Sequence, residues 1–186
     1  MEVESDLPFD FPILYFIQEH LTAPLIDSVM VFISAIGEGG IVWIVSALIM
    51  LFFKRTRKCG LLVLISMLIC FITGELVIKN IVCRIRPCYV DTAMELLVSR
   101  PDSYSFPSGH TASSFTAASV MFYFFRKPGI FAILFAALMA FSRMYLFVHF
   151  PTDILGGILL GIMGATLVVF VYKKCFENRA DRLNHN

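Results

Sequence analysis

The chain has 186 residues, a formal net charge of +1, 58% apolar residues and 16% charged residues, with a mean hydropathy of +0.80. That composition excludes an ordinary soluble domain and reads as a single polytopic membrane domain over residues 1–186. The near-neutral charge, with no basic stripe left once loop clusters are assigned, argues against nucleic acid as a partner.

The first ten residues are acidic and lack a positive n-region, so no cleavable signal peptide is expected. Residues 7–21 mix Phe9, Phe11, Ile13, Leu14, Phe16 and Ile17 with Asp10, Gln18 and Glu19, the pattern of an interfacial helix lying along a membrane. The eight prolines lie at segment ends and make the boundaries readable. Span one is expected over 22–36, and Gly37-Glu38-Gly39-Gly40 reads as a tight turn. Span two covers about 41–53 and span three about 60–82. A polar loop over 88–106 precedes span four, about 108–125. Arg126-Lys127-Pro128-Gly129 reads as a turn before span five, about 130–147. Pro151 suits the first turn of span six, about 152–172. The predicted fold is all-α, with six transmembrane helices and an N-terminal interfacial helix. Gly157-x-x-x-Gly161 on span six and Ala112, Ser113, Thr116 and Ala117 on span four read as close-packing faces within one monomer.

Ten of the fifteen Lys and Arg residues form three clusters, at 54–58, 126–127 and 173–182. Each follows an apolar run and marks the cytoplasmic side. Six spans then place both termini in the cytoplasm, in a bacterial cytoplasmic membrane. The remaining five, Lys79, Arg84, Arg86, Arg100 and Arg143, map to the outer side against the topological bias. An anion is the best reason for them. Five cysteines show no metal-ligand spacing, and no metal or cofactor is implied. Cys83 and Cys88 flank the Arg84-Ile85-Arg86-Pro87 segment and could pair, with free thiols the favoured reading.

The outer ends of spans three to six carry Lys79, Arg86, Ser108, Gly109, His110, Arg143, His149 and Asp153. An antiparallel bundle brings such ends to one face. A transferred phosphoryl group spreads charge over its oxygens and needs cationic clamps and amide donors. Lys79, Arg86 and Arg143 suit the clamps. Ser108 is placed to cap span four, leaving the amides of Gly109 and His110 aimed outward. Asp153, four residues after His149, is placed to hold Nδ1–H and free Nε2 for attack. His110 is placed to protonate the leaving oxygen and then activate water. Glu75, one turn before Lys79, reads as an ion-pair partner that helps position it. His20 and His185 read as surface histidines.

Lys79-x6-Arg86-Pro87, Pro107-Ser108-Gly109-His110 and Ser142-Arg143-x5-His149-x3-Asp153 together resemble the three-part signature of the type 2 phosphatidic acid phosphatase superfamily. Nineteen residues separate the first two blocks and 31 the last two. The resemblance implies a six-span membrane fold and metal-independent dephosphorylation through a phosphohistidine. It implies phosphate binding by Lys79, Arg86, Ser108, Gly109 and Arg143, acid/base work by His110, and a His149 nucleophile oriented by Asp153. It also implies inhibition by vanadate. Short members of the family resemble undecaprenyl pyrophosphate, phosphatidylglycerophosphate and phosphatidate phosphatases. An outward-facing site favours the isoprenyl pyrophosphate, and a phosphorylated membrane lipid is the expected partner, with no obligatory protein partner. The alternative is a lipid-phosphate binding or transport protein without turnover; the His149–Asp153 pair, which binding alone does not need, weighs against it.

Overall fold

The computed structural model describes residues 8–177, and every regular element among them is helical. The order is α1 (Asp10–His20), α2 (Pro24–Ile36), α3 (Ile41–Leu51), α4 (Arg57–Phe71), α5 (Lys79–Val82), α6 (Pro87–Val90), α7 (Gly109–Phe124), α8 (Arg126–Tyr145) and α9 (Pro151–Tyr172). A π-helical stretch, Ile72–Ile78, joins α4 to α5 without a break. The two chain termini, expected inside, lie outside the described residues.

Three segments are long and apolar enough to cross a membrane: Arg57–Val90, Arg126–Tyr145 and Pro151–Cys175. A fourth passes the same test only when Pro24–Ile36 and Glu38–Leu51 are joined across a 48° bend. That bend corrects the expectation of a tight turn at Gly37–Gly40. A hairpin would send α3 back along α2, but the neighbours along α8 run one way. Asp27 accepts a hydrogen bond from Tyr145, Ser34 meets Arg143, Gly37 abuts Met139, and Trp43 packs edge-on to Phe135. Thus α2 and α3 are two halves of one pass antiparallel to α8. Gly39 and Gly40 take left-handed conformations, at φ 57° and 72°, which lets the chain kink without reversing. Among the described residues this gives four segments long and apolar enough to cross a membrane, with the 16-residue α7 packed among them, where six spans were expected.

A second correction concerns Arg126–Gly129, which forms the first turn of α8 rather than a loop. The first-turn amides have no intrahelical acceptor, so Pro128 loses no ladder bond there. Elsewhere the expected boundaries hold within a few residues. Cys83 closes α5 in a left-handed conformation (φ 50°). All five cysteines are free, Cys83 exposed and Cys88 buried.

At 16 residues α7 is shorter than α8 and α9, and it packs against α4, α8 and α9 in the centre of the bundle. Its small side chains explain this placement. Ala112, Ala117 and Ala118 are buried, and the backbone of α9 approaches through Gly157 and Gly161. A Cβ at Gly161 would stand 2.6 Å from the Ala112 carbonyl, and one at Gly157 2.8 Å from that of Ser108. The predicted small-residue faces are thus an intramolecular seam. Below the site, Trp43, Val63, Val120, Ala136 and Val168 form an apolar core, with Trp43 Nε1 donating to Ser114 Oγ at 2.8 Å. At the other end α1 packs over the α8–α9 junction, where Leu14, Phe147 and Phe150 are buried together.

Candidate active site

The predicted residues converge at one end of the bundle, around a cavity of about 1040 Å³. Lys79, Arg86, Gly109, His110, Arg143 and His149 line it. Ser108 and Asp153 stand behind that wall, both fully buried. The loop after α6 folds over the cavity, with Val98–Ser103 along its rim.

His149 sits in the five-residue link between α8 and α9, 1% exposed. This link is buried throughout and contains Phe147 at φ 56°, an uncommon conformation for an aromatic residue. Packing of Phe147 and Phe150 against Phe11 of α1 holds it there. His149 Nδ1 lies 3.4 Å from Asp153 Oδ2 and 3.5 Å from Ser105 Oγ. Its Nε2 lies 3.0 Å from an Arg86 guanidinium nitrogen. Since Arg86 can only donate, Nε2 is the acceptor and the proton resides on Nδ1, facing Asp153. Burial pushes the His149 pKa far below the ordinary histidine range, against the opposing hydrogen bond that His149 donates to Asp153. The imidazole is therefore neutral near pH 7, with a lone pair on the atom facing the cavity.

Asp153 is held as firmly as it holds. It lies in the first turn of α9, after Pro151, and Oδ2 accepts the Phe150 amide at 2.8 Å. Ser105 Oγ donates to Oδ2 at 2.5 Å, and Arg84 donates to Oδ1 at 2.8 Å. The Asp153 carbonyl accepts the Ser108 amide at 3.1 Å, tying the mouth of α7 to α9.

The cations are arranged differently. Arg86 is fixed by the Ser103 carbonyl (2.7 Å), Ser103 Oγ (3.0 Å) and the Val148 carbonyl (2.9 Å). Lys79 Nζ is shared between both oxygens of Glu75, at 2.8 and 2.7 Å, so the predicted pair forms. Both groups sit at the π-helical end of α4, a feature that recurs at functional sites. Arg143 donates to Ser34 Oγ of α2, while its buried Nε has no hydrogen-bond partner among the described residues. Among the described residues His110 Nε2 likewise makes no hydrogen bond, and it stands 3.6 Å from Glu38 Oε2. Arg143 and His110 both line the cavity, where a bound oxyanion can engage such atoms.

The cap expectation for Ser108 needs correction. Ser108 occupies the N-cap position of α7 with extended backbone, but its side chain makes no capping bond. It accepts instead from Thr111 Oγ1 at 3.0 Å. Gly109 has a stricter reason to be glycine: a Cβ there would come within 2.3 Å of Glu75 Oε1. Sequence reasoning missed Ser34, Glu38, Ser103 and Ser105, and gave Asp10 and Arg84 no role. Only Arg84 carried a signal, as an outer-side basic residue two positions from Arg86. Among the described residues, no three His, Cys, Asp or Glu side chains come together as a metal ion would require.

An apolar helical bundle with two histidines, three cations and a lipid-sized cavity at one end defines a class: an integral membrane protein with a buried site for a phosphoryl-type anion. Comparison with known proteins makes this specific. The PAP2 superfamily pattern matches residues 58–177. The chain is 36% identical over 159 residues to the undecaprenyl-diphosphatase of Sulfolobus acidocaldarius, spanning 85% of this chain and 76% of that protein. It is 35% identical over 146 residues to phosphatidylglycerophosphatase B of Bacillus subtilis, spanning 71% and 64% of the two chains. The crystal structure of Aquifex aeolicus LpxE shares the fold, with a TM-score of 0.79 at 24% identity over 90% of this chain and 98% of that one. The chain belongs to the PAP2 superfamily and is a membrane lipid phosphatase.

Proposed function

We propose that the protein removes phosphate from a lipid pyrophosphate or phosphate monoester through a phosphohistidine at His149, with undecaprenyl pyrophosphate the favoured substrate. The observation that carries this reading is the neutral His149, with Nδ1 turned to Asp153 and Nε2 turned to the cavity beside Arg86. In the first step the Nε2 lone pair forms a bond to phosphorus while the bond to the bridging oxygen breaks. Arg86, Arg143 and Lys79 balance the charge on the three equatorial oxygens, and the amides at the start of α7 add donors. The leaving oxygen takes a proton from His110 in its charged form, Nε2 standing 3.6 Å from Glu38 Oε2. In the second step His110 takes a proton from water, the water oxygen attacks phosphorus, and the N–P bond breaks to release inorganic phosphate. No step requires a metal ion.

Glu75 takes two of the three Lys79 donors in this structure, so the third is left for phosphate and Glu75 competes with substrate for the other two. A lipid substrate is supported by the shape of the cavity. It continues from the phosphate-binding end along Ile44, Leu64, Met67, Leu68 and Phe71, between α3 and α4, where an apolar chain fits. The identity of the Sulfolobus relative supports the pyrophosphate choice.

We also propose that the site faces outward. Counting α7 as a further pass, the ends of α3, α7 and α9 lie opposite the site, next to the basic residues at 54–58, 126–127 and 173–174. Merging α2 and α3 into one pass therefore leaves the charge argument intact and moves α1 to the site side, as an interfacial helix at the outer face. The defining experiment is phosphate release by detergent-purified protein from undecaprenyl pyrophosphate, phosphatidate and phosphatidylglycerophosphate, beside His149→Ala. Turnover highest on the pyrophosphate and absent in the variant is expected. Full turnover in His149→Ala would overturn the phosphohistidine.

A further inference from the structure

Asp10 is fully buried although it lies in α1, which composition assigns to the interface. Burying a carboxylate is unfavourable unless it is paired and hydrogen-bonded. Asp10 has three partners, all leading toward the site. Oδ2 accepts from Arg84 at 2.7 Å and from Thr152 Oγ1 at 2.7 Å, and Oδ1 accepts the Thr152 amide at 3.2 Å. It thereby satisfies a free amide in the first turn of α9, where Phe150 has no side chain able to cap. Arg84 completes the chain. One terminal nitrogen donates to Asp153 Oδ1 at 2.8 Å and to Thr152 Oγ1 at 2.6 Å, and the other holds Asp10. The guanidinium lies 4.1 Å from the centre of the Phe150 ring, and the Arg84 carbonyl accepts the Ser105 amide at 2.8 Å. Ser105 is the residue whose hydroxyl binds the other oxygen of Asp153.

We infer that Arg84 and Asp10 are positioning residues for the catalytic pair, forming a buried relay Asp10–Arg84–Asp153–His149 that fixes the carboxylate against which His149 reacts. The relay rests on the His149 nucleophile proposed above. Its chemistry follows from charge balance. As Nε2 bonds to phosphorus, positive charge develops on the imidazole and must be met by Asp153. Arg84 keeps Asp153 ionised and fixes the direction of its oxygens. A lone Arg84 would also neutralise Asp153 and weaken its hold on His149. Asp10 on the opposite side of the guanidinium takes up part of that charge, so Asp153 remains a net anion for the imidazolium. Neither Arg84 nor Asp10 lines the substrate cavity, so they act on the chemical step and not on binding.

The test is a double-mutant cycle on phosphate release, with substrate affinity and melting temperature measured in parallel. Arg84→Met should lower kcat by about tenfold to a hundredfold, the range seen when partners behind a reacting group are removed, with KM nearly unchanged. In an Asp153→Asn background the same substitution should lower kcat by less than about threefold, because its effect passes through a carboxylate already absent. Asp10→Asn, which preserves size and two of the three contacts, should give a smaller loss with the same dependence on Asp153. Asp10→Asn also carries the test if Arg84→Met does not fold. Arg84→Lys should recover part of the rate. Losses that multiply in the Asp153→Asn background, or wild-type kcat in both variants, would overturn the relay. Turnover retained in His149→Ala would instead remove the nucleophile itself, whatever the Arg84 variants do.

Discussion

The two sides of the cavity are built on opposite principles. On the α9 side, His149, Asp153, Ser105, Arg84 and Asp10 form a closed network in which each carboxylate oxygen is occupied. On the side formed by α2, α5, α7 and α8, polar groups are left short of partners. Among the described residues Arg143 Nε and His110 Nε2 are buried and unbonded, and Lys79 is engaged by Glu75. The contrast separates two tasks. A nucleophile must already be oriented before substrate arrives, so its hydrogen bonds are internal. A clamp must exchange its partners for phosphate oxygens, so its hydrogen bonds must be missing or exchangeable.

The largest expected effect breaks the closed side. His149→Ala should reduce phosphate release by about 10⁴-fold or more, as when the nucleophile of a covalent mechanism is removed, while lipid binding persists because the clamps are untouched. Next come the open side's cations. Lys79→Ala and Arg143→Ala should each lower turnover by about 10²- to 10³-fold, the effect of removing one donor from a developing anion, with the protein still folded by circular dichroism. Wild-type rates in both would remove the clamp assignment.

A third prediction concerns stability and separates the sides by pH. The folded state holds His149 neutral well below its ordinary pKa, whereas the unfolded chain protonates it near about 6.5. Below that pH the unfolded state binds the extra proton, so this group makes stability fall as pH drops from about 6.5 toward the lowered folded value. Thermal melts in detergent should show a shallower acid loss for His149→Gln than for wild type, and parallel curves would contradict the buried neutral imidazole. The smallest effect is on the exchangeable pair. Glu75→Gln weakens the competitor for Lys79 and should shift KM downward by about threefold, of the order of one weak ion pair, with kcat little changed. Treatment with EDTA should leave all these rates as they were.

Much of this site was readable as residues and little of it as geometry. Lys79, Arg86, His110, Arg143, His149 and Asp153 announce themselves because charged and titratable groups at the ends of apolar spans need a reason, and their spacing matches one chemistry. Ser34, Ser103 and Ser105 gave no signal, since a serine in a loop or helix is ordinary until a long-range contact brings it to an ion. Glu38 was hidden by its turn-like surroundings.

By itself the sequence determined the all-helical membrane class, most helix limits, and the candidate side chains that gather at the cavity. These follow from local composition and periodicity, which act over a few residues. Only the tertiary structure decided that Gly37–Gly40 bends the chain instead of reversing it. Two left-handed glycines permit either outcome, and packing along α8 selects one. It also decided that Asp10, 143 residues before Asp153 in the chain, is buried and linked to that carboxylate through Arg84. A contact of that range depends on how the helices assemble, and no local pattern of residues encodes it.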